Sequence, residues 1–163
     1  MRRSIWIAVL LGGLSAAIVL TGPASAVSSS AGKASASCHG HAATIVGTRG
    51  NDTGKKTLRG TRHADVIVAR AGKDEVHARQ GNDVVCGGAG GDLVDGGAGR
   101  DRVYGQGGSD LVLGRAGRDK LLGGTGDDEL GGGPGRRDLC AGGPGKDLAQ
   151  KRTCERIRGA KAV

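Results

Sequence analysis

Aromatic residues are almost missing from this chain: no Phe, one Trp (Trp6) and one Tyr (Tyr104) in 163 residues. Buried aromatics carry much of an ordinary globular core, so a standard enzyme domain is not expected. Proline is scarce at 3, and glycine, at 34, does not recur at every third position, which excludes collagen. No two cysteines have the C-x-x-C spacing of a zinc ribbon. Ser, His and acidic residues form no grouping that a rigid scaffold would hold for hydrolysis, so no enzyme, catalytic residue or small-molecule substrate is expected. With no aromatics to stack bases, sequence-specific nucleic-acid binding is not expected either. Glycine at about three times its usual share leaves two classes, disorder or a repeat built from tight turns. A net charge of +8 favours anionic partners.

The amino terminus reads as an address. Arg2 and Arg3 precede an apolar run from Ile5 to Leu20; Gly22-Pro23 breaks it, and Ala24-Ser25-Ala26 is a small-residue cleavage site. Residues 1–26 are thus expected to be a signal peptide, too short for a membrane span, and the processed chain to be secreted with no transmembrane segment. Arg2 and Arg3 leave with it, taking the charge to +6. Residues 27–43 form a Ser/Ala-rich leader too poor in apolar surface to order itself over 27–37. In an oxidising compartment Cys38, Cys86, Cys140 and Cys154 are expected to pair. Three connectivities are open to four cysteines.

Between residues 44 and 150 the dominant feature is a nine-residue period. Asp65, Asp74, Asp83, Asp92, Asp101, Asp110, Asp119 and Asp128 follow one another at that spacing, Asp138 after ten and Asp147 after nine more. Two residues after successive Asp stand Ile67, Val76, Val85, Val94, Val103, Val112, Leu121 and Leu130. The unit is Gly-Gly-x-Gly-x-Asp-x-(Val/Leu)-x, as in Gly87-Gly88-Ala89-Gly90-Gly91-Asp92-Leu93-Val94-Asp95. Upstream, removing Thr53-Gly54-Lys55-Lys56 as a surface turn puts Leu58 and Ile45 in the same apolar slot. Glycines accept the positive φ of tight turns, and three residues with one apolar centre make a short strand. Turn and strand alternate, so two units close a coil of 18 residues. The expected fold is all-β, a parallel β-roll of two sheets with an aliphatic column between them. The Gly-x-Gly-x-x-Gly strings inside the repeat are not a dinucleotide loop, because no helix follows them. Cys38-His39-Gly40-His41 is weighed as a transition-metal site, with a bridged cysteine beside two solvated histidines as the commoner outcome.

This unit resembles the RTX, or hemolysin-type, calcium-binding nonapeptide repeat. The resemblance implies calcium between adjacent coils, held by an Asp of each and by turn carbonyls. One row is then Asp65, Asp83, Asp101, Asp119, Asp138, the other Asp74, Asp92, Asp110, Asp128, Asp147. The carbonyls it implies are those of Gly87, Ala89, Gly90, Gly96, Ala98, Gly99, Gly105, Gly107 and Gly108. Up to about eight Ca²⁺ would fit, with a further position between Asp52 and Asp74. His63, in place of a turn glycine, and the extra residue at Arg136-Arg137 disturb the two ends of the first row. Stacked carboxylates repel, so the resemblance also implies that the roll needs calcium to fold.

Residues 151–163 are left as a cap and tail. Cys140 occupies an apolar slot, so a bridge to Cys154 would pin that segment across the last coil; Cys86 points outward, within reach of the leader's Cys38. These placements favour pairs 38–86 and 140–154. Charge divides unequally between alternate repeats. Arg100 and Arg118, and Arg102 and Lys120, recur at the coil period and should stack into a basic stripe. That stripe supports a second reading, a structural or adhesive protein binding an anionic cell-envelope polymer. A monomer is expected.

Overall fold

The computed structural model describes residues 36–135, 137–150 and 153–163; the expected signal peptide and most of the leader lie outside them. Among the described residues there are sixteen short strands, numbered here along the chain, and no α-helix. One sheet holds β3 (Ile45–Val46), β5 (Val66–Ala71), β7 (Val84–Ala89), β9 (Arg102–Gly107), β11 (Lys120–Thr125), β13 (Leu139–Ala141) and β15 (Arg156–Arg158). The other holds β4 (Leu58–Arg59), β6 (Glu75–His77), β8 (Leu93–Gly99), β10 (Leu111–Gly117), β12 (Glu129–Gly131), β14 (Leu148–Ala149) and β16 (Lys161–Ala162). Every neighbouring pair within these sheets is parallel, and consecutive strands alternate between them. This is the expected parallel β-roll.

The register repeats the sequence period. Val85 pairs with Val103 and Val94 with Val112, each 18 residues on. The first coil is four residues longer, Ile45 pairing with Ile67, and the surplus lies in an exposed single-turn 3-10 segment, Gly54–Lys56. The turn set aside at Thr53-Gly54-Lys55-Lys56 is therefore where the chain bulges. Leu121↔Cys140 and Leu130↔Ala149 take one extra residue per coil without breaking either ladder. The ladders run on past residue 150: Cys140 pairs with Ile157 and Ala149 with Ala162, so part of the expected cap and tail forms further rungs.

One column of side chains from each sheet fills the space between them. Ile67, Val76, Val85, Val94, Val103, Val112, Leu121, Leu130, Cys140 and Ala149 are fully buried. Burying a Val or Leu contributes about 1.5–3 kcal/mol, and each coil contributes only two such residues. The core is continuous but thin. At the second position of the repeat, Arg70, Arg79, Gln106 and Arg115 adopt left-handed φ of 90°, 80°, 82° and 75°. The next coil places Gly88, Gly97, Gly124 and Gly133 against their carbonyls, where any Cβ would collide. A side chain is tolerated at this position when the coil above it is glycine.

Two disulfides tie the ends to the roll, Cys38–Cys86 and Cys140–Cys154. The first holds a small antiparallel hairpin, β1 (Ser37–Cys38) with β2 (His41–Ala42), on the outside of a sheet against Val66, Val68, Val84 and Tyr104. His39 stacks on Tyr104 with ring centroids 3.7 Å apart. With Cys38 bridged and His39 stacked, the Cys38-His39-Gly40-His41 string has no free thiolate to offer a metal. The second disulfide lies inside the aliphatic column, where Cys140 and Cys154 belong to the core cluster. Cross-linking a loop of that length contributes about 3 kcal/mol. Replacing Cys140 and Cys154 with Ser should therefore lower unfolding stability in calcium by about 3 kcal/mol, read from the denaturant midpoint. Replacing Cys38 and Cys86 should instead free residues 37–42 to hydrogen exchange and leave protection of β7 to β11 intact.

Candidate metal centre

The nonapeptide places each Asp where the chain leaves a glycine-rich turn and enters a strand. Its side chain turns inward, and Asp74 through Asp147 of the two rows are at most 3 % exposed. One carboxylate oxygen has a fixed task. Oδ1 of Asp83 accepts the backbone N–H of Asp65 at 2.8 Å, and Oδ1 of Asp101 accepts that of Asp83 at 2.9 Å. Asp119 and Asp138 continue the first row at 3.0 and 2.8 Å. The second row does the same through Asp74, Asp92, Asp110, Asp128 and Asp147 at 2.8–3.0 Å. Each Asp thus bonds the coil before it, and the extra residue ahead of Asp138 does not interrupt the row.

The other oxygen has no protein partner. Oδ2 of Asp74, Asp83, Asp92, Asp101, Asp110, Asp119, Asp128, Asp138 and Asp147 is buried without a hydrogen bond. A buried unpaired carboxylate oxygen is costly, and its repetition marks a purpose. From Asp92 onward, each orphan oxygen borders the space left by the first glycine of its repeat. A Cβ on Gly87 would lie 2.6 Å from Asp92 Oδ2 and 2.8 Å from the Gly105 carbonyl; on Gly114 it would lie 2.6 Å from Asp119 Oδ2 and 2.7 Å from the Gly132 carbonyl. Gly96, Gly105, Gly123, Gly132 and Gly142 make the same cradle for Asp101, Asp110, Asp128, Asp138 and Asp147. The cradle is lined by a carboxylate of its own repeat and, at Gly87, Gly96, Gly105, Gly114 and Gly132, by a backbone carbonyl of the next coil.

Of the nine carbonyls named from the resemblance, Ala89, Ala98 and Gly107 accept the N–H of Gly72, Gly81 and Gly90 at 2.8, 2.9 and 2.6 Å. Each retains a second lone pair. The carbonyls of Gly90, Gly99 and Gly108 abut the fourth-position glycines of the next coil, Gly108, Gly117 and Gly126. The Gly105 carbonyl borders the cradle at Gly87, while Gly87 and Gly96 contribute the space itself. Among the described residues no three His, Cys, Asp or Glu side chains converge. A cation here must draw most ligands from backbone oxygen and water, which suits calcium and not zinc.

The two ends depart from the pattern. Asp65 is already satisfied: Oδ2 accepts the Thr61 N–H at 2.7 Å and its hydroxyl at 2.9 Å, and Oδ1 accepts the Thr44 hydroxyl at 3.2 Å. Asp52 is held likewise by the Thr48 N–H at 2.6 Å and hydroxyl at 2.9 Å. Threonine in the second position closes the first coil with protein hydrogen bonds alone. At Asp74 and Asp83 the first position is Ala69 and Ala78, fully buried, so a methyl group stands where the other repeats leave a cradle. At the far end Glu155 Oε2 accepts the Asp138 N–H at 2.9 Å and takes the ladder role. Glu155 is absent from the sequence-derived sites because it breaks both period and residue type; Ile157, two residues on in the apolar slot, was the signal that could have found it.

Charge follows this geometry. Burial pushes the Asp92 and Asp101 carboxyls up to about 7, and the like charge of their ladder neighbours adds to it. Asp83, Asp119 and Asp128 are raised to about 6, again chiefly by burial. Asp65 moves the other way: its burial would raise it, but the Thr61 and Thr44 hydrogen bonds outweigh that and hold it below the ordinary value.

A family model, that of the RTX calcium-binding nonapeptide repeat (4 copies), matches residues 59–94, 80–112, 87–121, 104–139 and 114–148, together more than half of the chain. The chain belongs to that family. It is a calcium-binding repeat protein of the RTX type. No curated protein and no solved structure matches it.

The raised carboxyls set the pH response of this RTX roll without metal. A folded-state value above the unfolded one favours the fold when the group is protonated. That stabilisation is complete below about pH 4 and is lost as pH rises through about 6 to 7. In chelator, β-signal in circular dichroism should therefore grow as pH falls from 8 to 5. Saturating calcium should abolish that dependence above pH 6, where the carboxylates are kept charged.

Proposed function

We propose that this protein is secreted and folds upon calcium, with the metal held at the cradles of Asp92, Asp101, Asp110, Asp119, Asp128, Asp138 and Asp147. The observation that carries this reading is the run of orphan Oδ2 atoms from Asp92 to Asp147, each beside a first-position glycine. Bound calcium supplies the positive charge that lets like-charged carboxylates stand at the coil spacing of about 4.8 Å. The chain's part is to present one free carboxylate oxygen per repeat, to spend the other on the neighbouring coil, and to leave room for turn carbonyls. Asp65 and Asp74 to Asp83 are weaker positions, the first because threonines satisfy it and the other two because Ala69 and Ala78 fill the cradle.

Two disulfides support a location outside the reducing cytosol. Extracellular calcium modules bind at about 10⁻⁴ to 10⁻³ M, a range in which folding follows arrival outside the cell. Among the described residues no helix is long and apolar enough to cross a membrane.

Titrating calcium into the oxidised protein in chelator-treated buffer tests the reading. Circular dichroism should show parallel-β signal rising cooperatively at millimolar or submillimolar calcium, and not with magnesium. Equal signal in chelator and in calcium at pH 7.5 would overturn it. A second pair of variants separates the cradle from general folding. Gly114→Ala puts a methyl between Asp119 and the Gly132 carbonyl and should lower the number of bound calcium ions and raise the midpoint severalfold. Ala78→Gly opens the Asp83 cradle and should shift the midpoint the other way.

A further inference from the structure

The corner between turn and strand forms a groove along the Asp83–Asp119 edge, with Asp83, Asp101 and Asp119 at its floor. Its walls carry Arg100, Arg102, Arg118, Lys120, Arg137 and Arg156, all exposed. The ladder sets Lys120 beside Arg102 and Arg156 beside Leu139, with Leu139 beside Lys120. Successive coils stand about 4.8 Å apart, so the cations form a track across four coils. Among the described residues the ion pairs join Glu75, His77, Asp95 and Arg115, and none reaches these six.

The roll contains its own control. The other Asp row has the same backbone and the same corner, yet its flanking positions are Lys73 with Glu75, Gly91 with Leu93, Ser109 with Leu111, Asp127 with Glu129, and Lys146 with Leu148, two cations against three acids. The fold therefore does not require cations at this corner. Arginine forks match phosphate oxygens in pairs, and six uncompensated charges in a straight groove suit a linear polyanion. The groove has no aromatic wall, since Tyr104 is stacked on His39 elsewhere. Bases, which bind by stacking, gain nothing from it.

We propose that this groove docks a linear polyol-phosphate polymer through its phosphates, and that calcium beneath the floor strengthens the docking. The floor carboxylates oppose an incoming anion until a cation offsets them. By linkage, the polymer must tighten calcium binding by the factor that calcium tightens the polymer. The groove stands on its own geometry; only the coupling rests on the calcium reading above.

The test uses the full oxidised protein and synthetic poly(glycerol phosphate), at fixed free calcium and about 50 mM and 200 mM salt. The variant Arg100→Gln/Arg102→Gln/Arg118→Gln/Lys120→Gln should lose at least about tenfold in affinity at the lower salt and show a shallower salt slope. A control removing the same charge elsewhere, Lys55→Gln/Lys56→Gln/Arg59→Gln/Arg62→Gln, should bind like the parent. The polymer should also lower the calcium midpoint of the parent and not of the groove variant, in circular dichroism. Equal loss in both variants would overturn the groove, as would no binding by the parent in its calcium-folded state. Oligo-dT or heparin binding tenfold tighter than the polyol phosphate would overturn the occupant. An unchanged calcium midpoint with groove-dependent binding would overturn the coupling alone. Failure of calcium to fold the protein appears in the spectrum before polymer is added, so it is distinguished from each of these.

Discussion

The structure depends on an aspartate that uses its two oxygens differently. Oδ1 ties its coil to the backbone N–H of the coil before, and this repeats from Asp74 to Asp147 without a gap. A charge-assisted bond of this kind contributes more than a neutral one, but it also holds a carboxylate in a buried place with Oδ2 unpaired. The same side chain that sets the stacking distance creates the electrostatic deficit. Lateral assembly and cation demand are therefore one property of the repeat.

That coupling explains the glycines and the thin core together. A first-position side chain would fill the cradle, as Ala69 and Ala78 do, and a fourth-position one would strike the coil before it at Gly81 or Gly99. Glycine costs conformational entropy on folding, and two aliphatic residues per coil offset little of it. The core cluster contains no aromatic residue. A roll with so thin a core gains proportionately more from any ligand that binds only its folded state.

Most of this architecture was legible in the spacing of like residues. Period, coil length, the aliphatic column and the bulge at Thr53-Gly54-Lys55-Lys56 follow from which face each residue occupies, and of three possible connectivities the two favoured disulfides are those that form. The distinctions inside the site were not legible. Asp65 and Asp83 are identical in register, and only the local contacts separate them: Thr61 and Thr44 close on both oxygens of one, while Oδ2 of the other has no partner. Glu155 escaped because a longer side chain reaches the ladder from a shorter coil, and a fixed period cannot represent that trade. The rungs beyond residue 150 pair at 17 and 13 residues, where backbone hydrogen bonding continues without the repeat that announced it.

The two ends are closed by different chemistry, and this gives the roll a direction. At the first coil Thr48 and Thr61 satisfy Asp52 and Asp65 with hydroxyl and backbone donors, so that coil carries no orphan carboxylate oxygen. At the last coils the closing elements are Glu155 and the buried Cys140–Cys154 bridge, while Asp138 and Asp147 still have free Oδ2 atoms. Parallel stacking needs an existing edge on which to add each rung, and forming the first one carries the loop-closure cost. A coil whose carboxylates are satisfied by protein donors alone provides such an edge. Each later coil brings a carboxylate with a free Oδ2, so orphan oxygens begin where the threonines end, and open cradles begin after Ala69 and Ala78. The two ends of the stack thus differ in kind, one closed by two threonine hydroxyls and the other by a glutamate and a buried disulfide.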